Sequence, residues 1–360
     1  MITIKNIAFE ANVSKGTVDR VLHNRGGVSK KTEKKIKGIL EKYNFKVNPV
    51  ARALKMKNKF QLATLIPNYD SDNLFWKSPY LGILKASDEV RNFGVEVENY
   101  TFNQFDPNSY LSQFNVLLNS NPSAVVLVPT FKKETKQIID QLERLKIPYL
   151  FFNIDLNGFK NICFVGQDSF TAGYLAGKLM HLEIPKQTTI LIIQSRTNIS
   201  NYHSIYKRIE GFNNYFIKNN VNTTTLTLSI DNHNDINNTQ LKINSFLKQH
   251  NEIKGIFIPS SRISNIVQCI NKPFLNKLKM IGFDNTQQNI ECLKNDEISF
   301  LISQKPFDQG YESVHLMTDY LVENKIPKNV IFSPIEILTK ENVSYSERNK
   351  LQFENENSNF

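Results

Sequence analysis

The residues best suited to chemistry in this chain are donors and acceptors of hydrogen bonds, and they fall into two groups. Near the N-terminus, Ser14, Lys15, Gly16, Thr17, Asp19 and Arg20 lie among the apolar Val13, Val18, Val21 and Leu22. Cationic and hydroxyl side chains on one helical face suit contacts with phosphates and base edges. Beyond residue 60, acids, amides and an arginine follow apolar runs, and the adjacent aromatics Phe75 and Trp76 sit in a polar loop. Covalent chemistry has little to work with. GxSxG, HExxH, P-loop and post-strand GxGxxG patterns are absent, and the six histidines show no ligand spacing. Cys163, Cys269 and Cys292 form no CxxC pair and suit a reducing cytoplasm. Asp155 with Asp284 is the one candidate general acid–base pair. The expectation is recognition without a cofactor or a metal.

Two short helices must carry the first group. Ile4, Ile7, Ala8 and Ala11 repeat at the spacing of one buried helix face, with Thr3 as N-cap. Asn12-Val13-Ser14 breaks the pattern, and Ser14 can cap a second helix that buries Val18, Val21 and Leu22. Small Ala8 and Ala11 allow the close crossing of a helix-turn-helix, leaving Lys15, Gly16, Thr17, Asp19 and Arg20 near the outer face. Charge separates this pair from an ordinary packing unit. Residues 1–59 hold 15 Lys and Arg against 4 Asp and Glu, a balance of +11, whereas residues 60–360, with 29 against 30, carry −1. A basic module on a nearly neutral protein is the footprint of nucleic-acid binding. A third helix is predicted over Lys30–Tyr43 with Ser29 as cap, Ile36, Ile39 and Leu40 inward, and lysines largely outward. Asn48-Pro49 starts another in the order cap then N1, too short to be stable alone.

From Phe60 the pattern becomes apolar runs alternating with helical stretches. Strands are predicted at Gln61–Ile66, Val95–Phe102, Ala124–Val128, Tyr149–Phe152 and Ile162–Val165, with helices between them. A second set runs from helix Ala172–Leu182 through strands near 189, 224, 254, 279 and 298 to helix Phe307–Val322 and one strand, Val330–Leu338. Alternating βα units imply parallel sheets covered on both faces, and two such sets make a two-lobed α/β body. Ligands of such sheets bind beyond the carboxyl ends of the strands, which here means a cleft between lobes. Residues 344–360 are polar and expected to be disordered. No 18-residue apolar run and no secretory h-region are present, so a cytoplasmic chain is expected.

Thr3-Ile4-Lys5, Ile7-Ala8, Val13-Ser14-Lys15, Thr17-Val18, Arg20 to Asn24, Val28-Ser29, Asn48-Pro49 and Ala51-Arg52-Ala53-Leu54 together resemble the headpiece of the lac/gal repressor family, without a gap over some fifty residues. The resemblance implies an all-α helix-turn-helix headpiece (1–46), a hinge helix (47–59) and a periplasmic-binding-protein-like body of two parallel sheets (60–343). The lobes would be 60–164 with 305–326, and 165–304 with 327–343, the chain crossing between them near 164–166, 303–306 and 324–329. It also implies double-stranded operator DNA, a homodimer, and DNA contacts from Thr3, Ser14, Lys15, Gly16, Thr17, Asp19, Arg20, Asn24, Arg52, Leu54 and Lys55. Leu54 would wedge between base steps in the minor groove. Asp19 stands where the family usually has Ser.

In the cleft, the resemblance implies effector contacts from Asn73, Phe75, Trp76, Asn153, Asp155, Arg208, Ser260, Asp284 and Gln304. Asn73-Leu74-Phe75-Trp76 looks like an aromatic turn that stacks on a sugar, although adjacent aromatics can equally anchor packing. Arg208-Ile209-Glu210-Gly211-Phe212 and Gly282-Phe283-Asp284 match an Arg and an Asp that face the ligand. Asn153 and Ser260 depart from the Asp and Asn common in relatives. The chain thus reads as a ligand-responsive transcription regulator, a repressor by expectation, with a sugar-like effector and no enzymatic role. A transport-linked solute-binding protein would account for residues 60–340 alone, and a sugar-converting enzyme would need the Asp155 and Asp284 pair.

Overall fold

The computed structural model describes residues 2–22, 26–43, 45, 59–70, 74–194, 203–230, 235–346 and 348–357. Asn24, Arg52, Leu54, Lys55, Asn73 and the helix expected from Asn48 lie outside them. Two compact units divide the chain, Met1–Lys57 and Asn58–Phe360.

The first unit contains α1 (Ile4–Ala11), α2 (Lys15–Leu22) and α3 (Lys30–Lys42). Thr3 caps α1 by a capping box with Asn6, whose backbone N–H donates to Thr3 Oγ1 at 3.3 Å. Asn12 closes the helix in the left-handed region at φ 58°, turning the chain towards α2. Ser14 Oγ accepts from Thr17 N–H at 3.1 Å, and Ser29 Oγ accepts from Thr32 N–H at 3.2 Å. Ile7, Val18 and Ile36, one from each helix, meet at the centre without solvent contact.

The second unit has two six-stranded sheets. The first lobe holds β1 (Phe60–Pro67), α4 (Lys77–Val90), β2 (Val95–Phe102), α5 (Pro107–Asn119), β3 (Ala124–Leu127), α6 (Lys132–Arg144), β4 (Tyr149–Phe152) and β5 (Phe164–Gly166). The second lobe follows with α7 (Ser169–Glu183), β6 (Thr189–Gln194), α8 (His203–Lys218), β7 (Thr224–Ser229), α9 (Ile236–Gln249), β8 (Ile253–Phe257), α10 (Ile263–Gln268), α11 (Lys272–Leu275), β9 (Lys279–Phe283), α12 (Gln287–Lys294) and β10 (Phe300–Ser303). Then α13 (Pro306–Glu323) returns to the first lobe and packs Val314 and Met317 into its core. The chain ends with β11 (Val330–Phe332), β12 (Glu336–Leu338) and α14 (Arg348–Asn357). Strand orders are β11-β5-β4-β3-β1-β2 and β12-β10-β9-β8-β6-β7. Every pair is parallel except β10 with β12. Strands buried on both faces explain the unbroken apolar runs.

Four expectations change. The single strand Val330–Leu338 is two strands in different sheets, because Pro334 has no N–H to continue a ladder. The third crossing therefore lies at residues 333–335, not 324–329, and Ser333 N–H donates to Gly166 O at 2.7 Å. Residues 164–166 and 330–332 belong to the first sheet, which moves the expected lobe borders at 165 and 327. The tail expected to be disordered carries a 3-10 turn, Val343–Tyr345, and α14. Tertiary contacts hold it: Ser346 Oγ donates to Glu336 Oε2 at 2.7 Å, and Phe353 lies 6.2 Å from Phe307 between ring centres.

Candidate functional site

On α2, Lys15, Gly16 and Arg20 are exposed, with Thr17 and Asp19 half-buried beside them. The hydroxyls of Thr3 and Ser14 serve as helix caps, and Ser14 Oγ also lies 2.9 Å from Thr17 Oγ1. Along α3, Lys30, Lys31, Lys34 and Lys35 are exposed, while Lys37 pairs with Glu33 at 2.7 Å and Lys42 with Glu10 at 2.9 Å. A folded three-helix unit with cations along two helices can engage a polyanion.

In the body the chain turns at strand ends into left-handed conformations, Asn153 after β4 at φ 66° and Asp284 after β9 at φ 67°. Asp284 is 3% exposed, its backbone held by Asp284 N–H donating to Ile302 O at 2.9 Å. Burial pushes its carboxyl up to about 6, against the opposing pull of Arg208 and of the Gln304 amide. Arg208, from α8, is 5% exposed; its Nη1 donates to Pro259 O at 3.1 Å and its guanidinium lies 3.8 Å from the centre of the Phe283 ring. Burial brings its pKa down to about 10, opposed by Asp284. Its Nε is buried and has no hydrogen-bond partner among the described residues.

Gln304 joins the lobes: Nε2 donates to Asp284 Oδ1 at 2.9 Å, and Oε1 accepts from Asn153 Nδ2 at 3.2 Å. Across the same gap, the Arg262 guanidinium of the second lobe lies 5.4 Å from the ring centre of Phe105 in the first. Asp155, half-buried, has its pKa raised by burial and partly restored by His203, while burial and then Lys207 lower that of His203. Asp155 and Asp284 thus answer to different partners, His203 and Arg208, both on α8. Ser260 is half-buried directly after Pro259.

Phe75 and Trp76 are 9% and 5% exposed and form part of the first-lobe core. Trp76 meets Phe75 and Phe152 edge to face at 4.9 and 6.5 Å, and its Nε1 donates to Gln104 Oε1 at 3.4 Å. Both rings are packing anchors of the wall that ends in Asn153. Sequence reasoning missed Asn289 and Gln309, both fully buried. Asn289 Nδ2 donates to Ser261 O, Phe283 O and Asp284 O at 2.9, 3.1 and 2.9 Å, lacing the two loops behind the site. A polar residue inside a helix carries no periodic or motif signal that would have marked either one.

Residues 63–325 match the periplasmic binding protein domain family, and residues 3–48 match the bacterial regulatory proteins of the lacI family. The chain joins a lacI-family DNA-binding headpiece to a periplasmic-binding-protein body. It is similar to the ribose operon repressor of Lactococcus lactis, 24% identical over 95% of this chain and 98% of the relative. The regulator TreR of Salmonella typhimurium is 28% identical over 45% of this chain and 49% of its own length. A LacI regulator from Bacteroides fragilis superposes with TM-score 0.70 and 25% identity, over 81% of this chain and all (100%) of that one. The glucose-galactose binding protein GanP of Geobacillus stearothermophilus shares the fold at TM-score 0.67 and 20% identity, over 79% and 99%. This lacI-family protein is a DNA-binding transcription regulator, and its headpiece sets it apart from solute-binding proteins that share only the body. Among the described residues no helix is long and apolar enough to cross a membrane.

Proposed function

We propose that this regulator acts as a cytoplasmic homodimeric repressor whose lobes grip a small sugar-like effector and so reset its affinity for operator DNA. The supporting observation is the Arg208–Asp284–Gln304 cluster. A buried carboxylate and guanidinium are costly to a fold, and their place beside the crossing between lobes, Asp284 at the end of β9 and Arg208 on α8, gives them a use in recognition. Arg208 and Asp284 would bind hydroxyls from the second lobe, with Asn153 and Asp155 opposite and Ser260 at the margin. Phe75 and Trp76 would shape the first-lobe wall. In the headpiece, Lys15, Gly16, Thr17, Asp19 and Arg20 would face the groove, Arg52, Leu54 and Lys55 the hinge contact, and Asn73 the effector. By linkage, whatever the effector does to operator affinity, the operator does to effector affinity.

The relative named for ribose makes D-ribose the first probe, followed by other monosaccharides, in a thermal-shift screen of the full chain. An operator is obtained by selecting duplexes from random DNA. With the effector found, Asp284→Ala should lose a charge-assisted hydrogen bond of about 1.5–3 kcal/mol, roughly 10- to 150-fold in affinity. Its operator complex should no longer respond to the effector. A normal response would remove the cleft from this reading and leave the DNA-binding half.

A further inference from the structure

Gln309 lies in the first turn of α13 with no solvent exposure. Its Nε2 donates to the Gln304 main-chain oxygen at 2.7 Å, and its Oε1 accepts from Asn153 Nδ2 at 3.1 Å. The same Asn153 amide donates to Gln304 Oε1 at 3.2 Å, and Gln304 Nε2 donates to Asp284 Oδ1 at 2.9 Å. Three carboxamides therefore run between two groups that act as acceptors, a peptide carbonyl and a carboxylate. Each amide has one donating and one accepting end, so the order is forced. Gln309 must turn its N–H to the carbonyl and its oxygen to Asn153. Asn153 must meet that oxygen with its NH2, which also covers the oxygen of Gln304. Gln304 is left with an N–H towards Asp284. Reversing any one amide sets oxygen against oxygen in a buried place.

We propose that Gln309 and Asn153 are positioning residues of the effector site, fixing the rotation of the Gln304 carboxamide so that the first lobe orients the Asp284 acceptor of the second. This rests on the function proposed above. The crossing is held to match: Lys305, left-handed at φ 54°, donates its N–H to Ser303 Oγ at 3.2 Å and pairs through Nζ with Glu336 at 2.8 Å. Two consequences follow. The NH2 of Asn153 is occupied, so its Oδ1 is what it offers an effector, as acceptor of a hydroxyl proton. An ionised Asp at this position would face two amide oxygens with no donor, so the chain of amides needs the NH2 that Asn153 supplies.

The test uses the full chain without any effector, labelled with carbon-13 in the side-chain carboxyls of aspartate, and Asp284 assigned by Asp284→Asn. The groups that face Asp284 are Arg208 from α8, Gln304 from the crossing and Asn289 on its main-chain oxygen. Gln309→Met and Asn153→Gly, glycine being at ease in the left-handed region, should each raise the Asp284 titration midpoint by roughly half to one pH unit. In a Gln304→Leu background neither should move it further, because the chain passes through Gln304. An unmoved midpoint in either folded variant overturns the proposal, as does an equal shift with Gln304→Leu present. If Gln309→Met does not fold, Asn153→Gly decides alone. A negative titration removes the relay and leaves the effector grip standing, whereas an Asp284→Ala protein that still responds to effector sinks the grip and leaves the relay.

Discussion

Asp284 keeps an ionisable group where burial penalises its charge, and that has a consequence for stability. Its carboxyl titrates near about 6 in the folded protein against 3.8 ordinarily. Between these values the folded state holds a proton that the unfolded chain has released. Stability from this group is therefore present below the lower value and lost as pH rises through the higher one. Asp284→Asn, which cannot ionise, should be more stable than the parent above that window, by up to about 3 kcal/mol, and lose the fall within it. Urea denaturation across the window reads both; an unchanged slope in the variant would show that Asp284 carries no such cost. Asp284 was legible from the sequence through its Gly-aromatic-Asp setting. Gln309 and Asn289 were not, because a buried amide is recognised by its partners, and those come from residues 153, 304, 261 and 283.

At the scale of elements, each lobe packs its two central helices through glycine. A Cβ on Gly173 of α7 would lie 2.0 Å from Arg208 O, and one on Gly211 of α8 2.0 Å from Phe170 O. In the first lobe Gly82 of α4 and Gly310 of α13 stand in the same relation, at 2.0 Å from Phe307 O and 2.3 Å from Pro79 O. Arg208 reaches the cleft from a backbone pressed directly on Gly173. Gly173→Ala should therefore cost about 1–3 kcal/mol by overpacking and also weaken effector binding. Gly255→Ala, whose Cβ would meet the flexible end of Met180 at 2.5 Å from its sulfur, is the control and should spare the effector. Equal effector affinity in the two variants would mean that helix packing does not set Arg208. Strands such as Val95–Phe102 and Tyr149–Phe152 have the limits read from their apolar pattern. Strands β11 and β12 and helix α14 do not, since a three-residue strand has too short a pattern to declare its sheet.

For the whole molecule, the separation of charge governs DNA affinity. With +11 in residues 1–59 and −1 in the rest, operator affinity should fall by roughly 10³–10⁵-fold between about 50 and 200 mM salt if six to ten phosphates are contacted. Effector affinity should change little over the same range. Filter binding at a series of salt concentrations measures the first, and a flat profile would take the basic headpiece out of DNA recognition.

Sequence by itself determined the helix-turn-helix and the α/β class of the body. These follow from local periodicity, capping residues and charge, all carried within a few residues of chain. Tertiary structure alone decided that β11 and β12 lie in different sheets, that the tail folds back on α13 through Phe353, and that Phe75 and Trp76 are buried. It alone decided, too, that Asn153, Gln304 and Gln309 form one directional chain, because that order depends on contacts between residues more than 150 positions apart.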